Sequence, residues 1–169
     1  MKLVIEKLPD LRALYIKQLR LMLSAEERIL CGLPTMAEVA TDTQLKQAFQ
    51  SHLNESEIHA QRLRNILNQI SGQAEPLACR VMQALIDETR DMVQGCAHDA
   101  VRDAALIAAA QRIEHYEIAS YGAVRHFARV LGRESDVGAL DQTIYEEEHA
   151  DRLLTSVAER ANPAAKRAA

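Results

Sequence analysis

The chain has 169 residues, a formal net charge of −4, and only 6 Gly, 4 Pro and no Trp. This length fits one domain with its own core, and the predominance of helix-forming residues favours an all-α protein. The acidic balance excludes a broad basic face for nucleic acid, and no apolar run approaches the ~18 residues of a membrane span, so we expect neither nucleic acid nor membrane as a partner.

The N-terminal stretch and the spacing of the cysteines bear on where in the cell the protein is expected. The N-terminal stretch MKLVIEKLPDLR has too short an apolar run for a signal peptide, so we expect a cytoplasmic protein. The three cysteines, Cys31, Cys79 and Cys96, show no C-x-x-C spacing and leave an odd count. We interpret them as small buried apolar residues in a reducing compartment rather than as metal or redox groups.

Apolar residues recur at alternating steps of three and four, which predicts helices packed lengthwise. The first helix is predicted from residue 8 to about Ala40, with Pro34 kinking it rather than ending it. Thr41 or Asp42 then caps a second helix, which ends near residue 70 at the stretch SGQAEP.

Three more helices follow along the chain. A short one is predicted from Leu77 to about Gln94, and the stretch GCAHD ends it, with Asp99 as the candidate cap of a long fourth helix. The turn GRESDVG leads into a fifth helix, and ANPAAKRAA is read as a frayed tail. We therefore predict a single domain over residues 1–162 and a flexible tail over 163–169. Two hairpins, 8–70 and 99–161, joined by the short helix, predict a four-helix bundle with one additional short helix in the crossover.

Each long helix interrupts its apolar stripe with acid. The acids of the first hairpin lie 15 residues before and 14 after Thr41, and those of the second lie 15 before and 15 after Gly132. Equal distances from a turn place residues level with each other in an antiparallel hairpin, so the carboxylates are predicted to form one layer inside the bundle. These acids are Glu26, Glu55, Glu117 and Glu147, with Glu114 one turn before Glu117 on the same face.

A buried carboxylate layer requires counter-charge, because each desolvated charge costs several kcal/mol. The stripes offer no Lys, and Arg62 is the only nearby Arg, so either cations come from outside the chain or protons are taken up. A site rich in oxygen with an occasional imidazole suits iron or manganese better than zinc. Di-iron helical bundles use this chemistry, with Glu from two helices and Glu-x-x-His from two others.

The sequence contains a literal Glu-x-x-His at Glu146 and His149, but in the wrong register for the predicted layer. We interpret that pair as a surface feature without a metal role. On the stripes, His59 follows Glu55 by four residues and is open to three readings: a ligand, a partner of a ligand, or a core histidine. His52 is read as a ligand's partner. The other candidates on the last stripe are Glu148 and Asp151, and the histidines expected at the surface are His98, His115 and His126.

Several stretches resemble the YciE/YciF family of bacterial ferritin-like stress proteins, over nearly the whole length. They are LSAEERIL at 23–30, LPTMAEVA at 33–40, SHLNESEIHAQRL at 51–63, VRDAALIAAAQRIEHYEIASYG at 101–122 and EEEHADRLL at 146–154. The resemblance implies a rubrerythrin-like bundle with a dinuclear metal site, often dimeric, whose reaction is poorly defined. Carried onto this chain, the family's acids fall on Glu26, Glu55, Glu114, Glu117, the Glu147/Glu148 pair and nearby Asp151. Leu23 stands where the family often has Tyr, and His59 where relatives often have another polar residue.

We therefore expect two metal ions per chain, iron first and manganese as the alternative, in a homodimer that reacts with dioxygen or peroxide in stress defence. The candidate ligands are Glu26, Glu55, His59, Glu114, Glu117, Glu147, Glu148 and Asp151. Two other functions stay open: metal sequestration without turnover, and a helical partner-binding stress protein with a vestigial site. The sequence leaves open whether the protein is an enzyme.

Overall fold

The computed structural model describes residues 7–168, and over that range the chain forms five helices and no strand. They are α1 (Leu11–Val39), α2 (Thr43–Ser71), α3 (Arg80–Gln94), α4 (Asp99–Val130) and α5 (Glu134–Arg167). The hairpin of α1 and α2 packs against the hairpin of α4 and α5, while α3 lies against α4 and α1. The predicted all-α, ferritin-like four-helix bundle with one short helix in the crossover is confirmed.

The first hairpin follows the predicted local signals. Pro34 lies inside α1, as predicted. Asp42, rather than Thr41, caps α2: its side chain accepts hydrogen bonds from the backbone N–H of Gln44 at 2.9 Å and of Leu45 at 3.0 Å. Gly72 ends α2 with a φ of 71°, a left-handed conformation that glycine adopts without strain.

The second half of the chain departs from the predicted boundaries. Asp99 is the first residue of α4, and the cap position is His98, which makes no side-chain capping hydrogen bond. The predicted turn GRESDVG is mostly helical, because α5 begins at Glu134, and the acids in its first turn favour a helix N-terminus. The short helix begins at Arg80 rather than Leu77, and α5 continues to Arg167, beyond residue 162. The division of the chain into a domain and a flexible tail stays a prediction.

Two buried acids that the sequence analysis did not single out tie the hairpins together. Asp103 of α4 accepts hydrogen bonds from the Thr41 backbone N–H at 2.8 Å, the Thr41 hydroxyl at 2.6 Å and the Asp42 backbone N–H at 2.9 Å. At the other end of the bundle, the Tyr15 hydroxyl donates to Asp136 at 3.0 Å, and Arg133 pairs with the same carboxylate. These contacts connect the α1–α2 turn to α4, and α1 to α5, which helps to fix the relative heights of the helices.

The apolar core is divided into two parts by a polar layer. One part is built around Leu19, Leu63 and Tyr121, the other around Ile29 and Leu106. Of the three cysteines, only the Cys79 side chain is buried; Cys31 is exposed and Cys96 is half-buried, so the expectation of buried cysteines was wrong for two of them. None of the helices described is long and apolar enough to cross a bilayer.

Candidate metal centre

Six titratable side chains fill the polar layer between the two apolar parts of the core. All are buried, with at most 5 % of their surface exposed, and all four long helices contribute: Glu26 from α1, His52 and His59 from α2, Glu114 and Glu117 from α4, and Glu147 from α5. The predicted carboxylate layer therefore exists, although with a different membership on α2.

The six side chains form two groups that share one residue. His52, Glu114, Glu117 and Glu147 form the first group, and Glu26, His59 and Glu147 form the second. Within each group, one ligand atom per residue lies within 4.8 Å of the others. Each group could hold a metal ion, and Glu147 belongs to both.

The histidines stand close to the carboxylates. His59 Nδ1 lies 3.0 Å from Glu147 Oε1 and 3.5 Å from Glu26 Oε1. His52 Nε2 lies 3.5 Å from Glu114 Oε1, and its Nδ1 lies 3.8 Å from Glu147 Oε2. Each ring thus faces acids from two other helices.

Many polar atoms of this layer are buried without a hydrogen-bond partner. They are Glu26 Oε2, both ring nitrogens of His52, His59 Nδ1, Glu114 Oε2, and both carboxylate oxygens of Glu117 and of Glu147. His59 Nδ1 and Glu147 Oε1 face each other at 3.0 Å as an ion pair, but without the alignment of a hydrogen bond. Buried polar groups are almost always hydrogen-bonded, because an unsatisfied one costs ~1–3 kcal/mol. Their concentration in one place fits a site whose ligand atoms are kept for metal ions.

Proton uptake supplies counter-charge in the metal-free layer. Burial would lower the pKa of both rings, but adjacent carboxylates outweigh it: Glu114, Glu55 and Glu147 raise the pKa of His52 to about 9, and Glu147 and Glu26 raise that of His59 to about 10. Both imidazoles are therefore protonated on both ring nitrogens, and positively charged, at neutral pH. Of the two sources of counter-charge that the sequence left open, protons serve the metal-free protein.

The pKa values of the buried glutamates in the layer are shifted in opposite directions. Burial, with the neighbouring acids, raises the pKa of Glu114 and of Glu117 well above the ordinary value for glutamate. Burial also opposes ionisation of Glu147, but His59 and His52 outweigh it and lower the pKa of Glu147. The shared carboxylate is thus the one that the histidines hold ionised.

Glu146 is not the surface residue that its sequence register implied. Its Oε2 lies 2.8 Å from His59 Nε2, and its Oε1 accepts hydrogen bonds from Arg62 Nη2 at 3.1 Å and Gln142 Nε2 at 2.7 Å. Burial would raise the pKa of Glu146, but Arg62, Gln142 and His59 lower it to about 2. The side chain reaches sideways from α5 to α2, which the angle around α5 alone did not predict. A carboxylate on the far ring nitrogen orients a metal-binding histidine, so Glu146 is placed to fix the ring of His59.

Three predicted ligands lie outside both groups. The Glu55 side chain is 28 % exposed, and its Oε2 lies 3.7 Å from His52 Nδ1. The next residue, Ser56, is buried in the inward position that was predicted for Glu55. Glu148 is 48 % exposed and lies 3.8 Å from Arg152. Asp151 accepts a hydrogen bond from Gln111 at 3.3 Å, and Ala150 takes the buried position beside it. One residue of register is about 100° around a helix, which moves a side chain from the core to its edge.

Two further residues belong to the layer's surroundings. His52, which was predicted to be a ligand's partner, is a member of the first group of candidate ligands. Its position on the apolar stripe of α2 was the feature of the sequence that could have indicated this. The Tyr121 hydroxyl donates to Glu26, and its ring packs edge-on against His59 with centroids 6.3 Å apart. His98, His115, His126 and His149 are exposed, as predicted.

A small cavity of about 70 Å³ borders the first group of ligand residues. His52, Glu55 and Glu114 line it, together with exposed His149. The first group therefore has a small space beside it, between α2 and α5.

An all-α bundle with a buried layer of carboxylates and imidazoles defines the class: a ferritin-like helical protein with a candidate metal centre. The sequence pattern of DUF892, a domain of unknown function, matches residues 10–167. Protein YciF of Escherichia coli is 37 % identical over 136 residues, covering 80 % of this chain and 82 % of that protein. The chain belongs to the DUF892 family and is a relative of YciF.

Two solved structures share the fold. The crystal structure of the Escherichia coli stress protein YciF matches with a TM-score of 0.88 at 33 % identity, covering 92 % of this chain and 99 % of that one. YcfI of Rhodopseudomonas palustris, described as a candidate structural protein, matches with a TM-score of 0.85 at 32 % identity, covering 92 % and 97 %.

Proposed function

We propose that the chain binds two metal ions, iron or manganese, in the buried layer and reacts with dioxygen or peroxide. The observation that carries this proposal is the pair of carboxylate–histidine groups that share Glu147, in which most of the buried ligand atoms make no hydrogen bond. A layer built only for structure would be expected to pair these atoms, because each orphaned group costs free energy.

The composition of the donor set supports this choice of metals. Ferritin-like dinuclear carboxylate sites combine four glutamates with two histidines. The six residues of this layer make the same inventory, although both histidines lie on α2 rather than on two different helices. Carboxylate and imidazole ligands without thiolate suit iron and manganese.

The protein's own residues have separable roles under this proposal. Glu147 would be shared by the two ion positions, Glu26 with His59 would hold one ion, and Glu114 with Glu117 and His52 would hold the other. Glu146 holds the ring of His59. The Tyr121 hydroxyl holds one oxygen of Glu26, leaving Oε2 for an ion. Two adjacent ions of variable valence would supply electrons to a small oxidant.

A role in defence against oxidants is proposed from the family. The relative YciF is described as a stress protein, and this chain shares its fold over 92 % of its length. We further propose a cytoplasmic homodimer, as expected from the sequence and the family resemblance.

The test is metal loading followed by turnover. Metal-free protein is loaded anaerobically with Fe(II) or Mn(II), and elemental analysis should give about two ions per chain. His52→Ala and Glu114→Gln should each lose at least one ion, while the exposed matched controls His115→Ala and Glu148→Gln should keep both. A stoichiometry near zero in folded wild-type protein, or equal losses in test and control variants, would refute the site.

Turnover then distinguishes the functions. Peroxide or dioxygen is supplied in excess with a reductant, and consumption is counted per loaded chain. Consumption of many equivalents supports the reaction proposed here. Consumption that stops after one oxidation per site supports sequestration, and folded protein that never retains metal supports a partner-binding role.

A further inference from the structure

An apolar groove opens on the side of the bundle that α3 covers. It lies between α1, α3 and α4, has a volume of about 330 Å³, and its apolar lining comprises Met36, Val39, Ile86, Val93, Leu106 and Ile113. The polar lining residues Thr35, Arg90 and Gln94 are exposed.

The polar groups at this groove are largely engaged elsewhere. The Thr89 hydroxyl donates to the Leu85 carbonyl at 2.7 Å, and the Arg90 guanidinium pairs with Asp87. No buried charge therefore faces the groove within the part of the chain that the structure describes. Its chemistry favours an uncharged apolar occupant over an ion or a phosphate.

A small void, called the neck below, shares lining residues with both the groove and the metal-site layer. The void has a volume of about 30 Å³ and shares Gly32, Met36 and Ile86 with the groove, while His52 and Glu114 line its inner side. A water molecule needs ~10–15 Å³ of such volume, so the void has room for about two water-sized molecules. The neck therefore lies beside the groove on one side and beside His52 and Glu114 of the first ligand group on the other.

We infer that the groove between α1, α3 and α4 binds a small uncharged apolar molecule, of the aromatic or aliphatic hydrocarbon class, with one end at the neck beside His52 and Glu114. An apolar cavity of ~150 Å³ is large enough for benzene, so this groove has room for a ring with a short chain. The inference rests on the proposed function only in making the metal ions the neighbours of the bound molecule.

Gly32 offers a way to close the passage without disturbing the core. It lies in α1 and lines both the groove and the neck, and a Cβ built on it meets no atom within 4 Å. A Cβ is therefore accommodated at position 32, and Gly32→Phe adds bulk beside the groove and the neck. Gly122 of α4 is the matched control, because a Cβ there also meets nothing within 4 Å and it lines neither the groove nor the neck.

The first experiment uses metal-free protein and the probe 4-fluorotoluene, followed by ¹⁹F NMR. Wild type and Gly122→Phe should bind the probe saturably, and Gly32→Phe should bind at least tenfold more weakly. Equal binding by all three proteins, or no binding by wild type, would overturn the inference. Sedimentation of the same proteins must stay unchanged, since dissociation of Gly32→Phe would make the groove an interface between two copies of the chain instead.

The second experiment places the probe relative to the site. After loading with Mn(II), the ¹⁹F signal of the probe should relax much faster with wild type than with Gly32→Phe at equal Mn(II) stoichiometry. Fully loaded wild-type protein that binds the probe without enhanced relaxation would refute the connection to the site. Failure of Mn(II) to bind at all would refute the proposed function, while the metal-free titration would still decide whether the groove binds the probe.

Discussion

Glu146 should matter for metal affinity although it is not placed as a ligand. Its Oε2 lies 2.8 Å from His59 Nε2, while the other ring nitrogen, Nδ1, faces Glu147 at 3.0 Å. Holding Nε2 protonated leaves Nδ1 free to bind an ion. In Glu146→Ala the ring loses this partner, and Arg62 loses its carboxylate next to it.

The expected loss follows from the role of such carboxylates in metal sites. Removing a carboxylate that orients a metal-binding histidine costs ~10–100-fold in affinity, or about 1.4–2.8 kcal/mol. Glu146→Gln keeps an oxygen acceptor but loses the charge, so its loss should be smaller. The assay is calorimetric titration of metal-free protein with Mn(II), with thermal unfolding of each variant to show that it is folded.

His149→Ala is the control, because this exposed residue lies on the same helix and belonged to the same sequence motif. It should bind Mn(II) as wild type does. The reasoning fails if Glu146→Ala is folded and binds Mn(II) as tightly as wild type, or if both variants lose affinity equally.

Three further outcomes are expected. Glu117→Met should stabilise the metal-free protein by ~1–3 kcal/mol, roughly 2–12 °C in Tm, because it removes a buried carboxyl group that makes no hydrogen bond. The control Glu148→Met, at an exposed position, should change stability by less than ~0.5 kcal/mol. A destabilised Glu117→Met would contradict this reasoning. The pKa values of His52 and His59 are raised from 6.5 to about 9 and about 10, so the folded metal-free protein holds more protons than the unfolded chain. The Tm of the metal-free protein should therefore fall as pH rises from about 6.5 to about 10, and a Tm that rises over this range would refute the raised histidine pKa values. Metal binding in the same range should release protons. Sedimentation velocity should give a dimer, and a large closed shell would revive the storage function.

The sequence predicted α1 and α4 well, because apolar residues continue on both sides of their acids. Glu26 follows Met22 and precedes Ile29 at regular helical steps, and Glu117 stands in the same way before Tyr121. All of these side chains are buried. A stripe with apolar residues above and below an acid fixes the direction of that acid to within a fraction of a turn.

On α2 and α5 the same reasoning missed by one residue. Glu55 and Ser56 are both polar, so hydropathy does not say which of them faces inward, and Ser56 is the one that is 0 % exposed. Asp151 follows Ala150, a residue too small to dominate an apolar pattern, and Ala150 is the buried one. Small inward residues leave room in the layer for His52 and for the longer glutamates, a requirement that appears only when the helices are packed.

The partnership of Glu146 with His59 could not be read from either helix alone. It depends on how close α2 and α5 approach and on the Arg62 guanidinium, which stands beside both. The angle around α5 correctly placed Glu146 away from the Glu147 line, but a long side chain at the edge of a helix can still reach a neighbouring helix. Lateral contacts of this kind are decided by packing.

If the layer binds metal as proposed, its buried acids are neutralised in two ways that exclude each other, by protons or by metal ions. In the metal-free protein, protons on His52 and His59 balance the acids, and these protons must leave before the ring nitrogens that face the carboxylates can bind ions. Metal affinity should therefore rise with pH over the range in which metal-free stability falls. The protonated histidines offset part of the negative charge of the metal-free layer, and the same acids are the candidate ligands for metal ions.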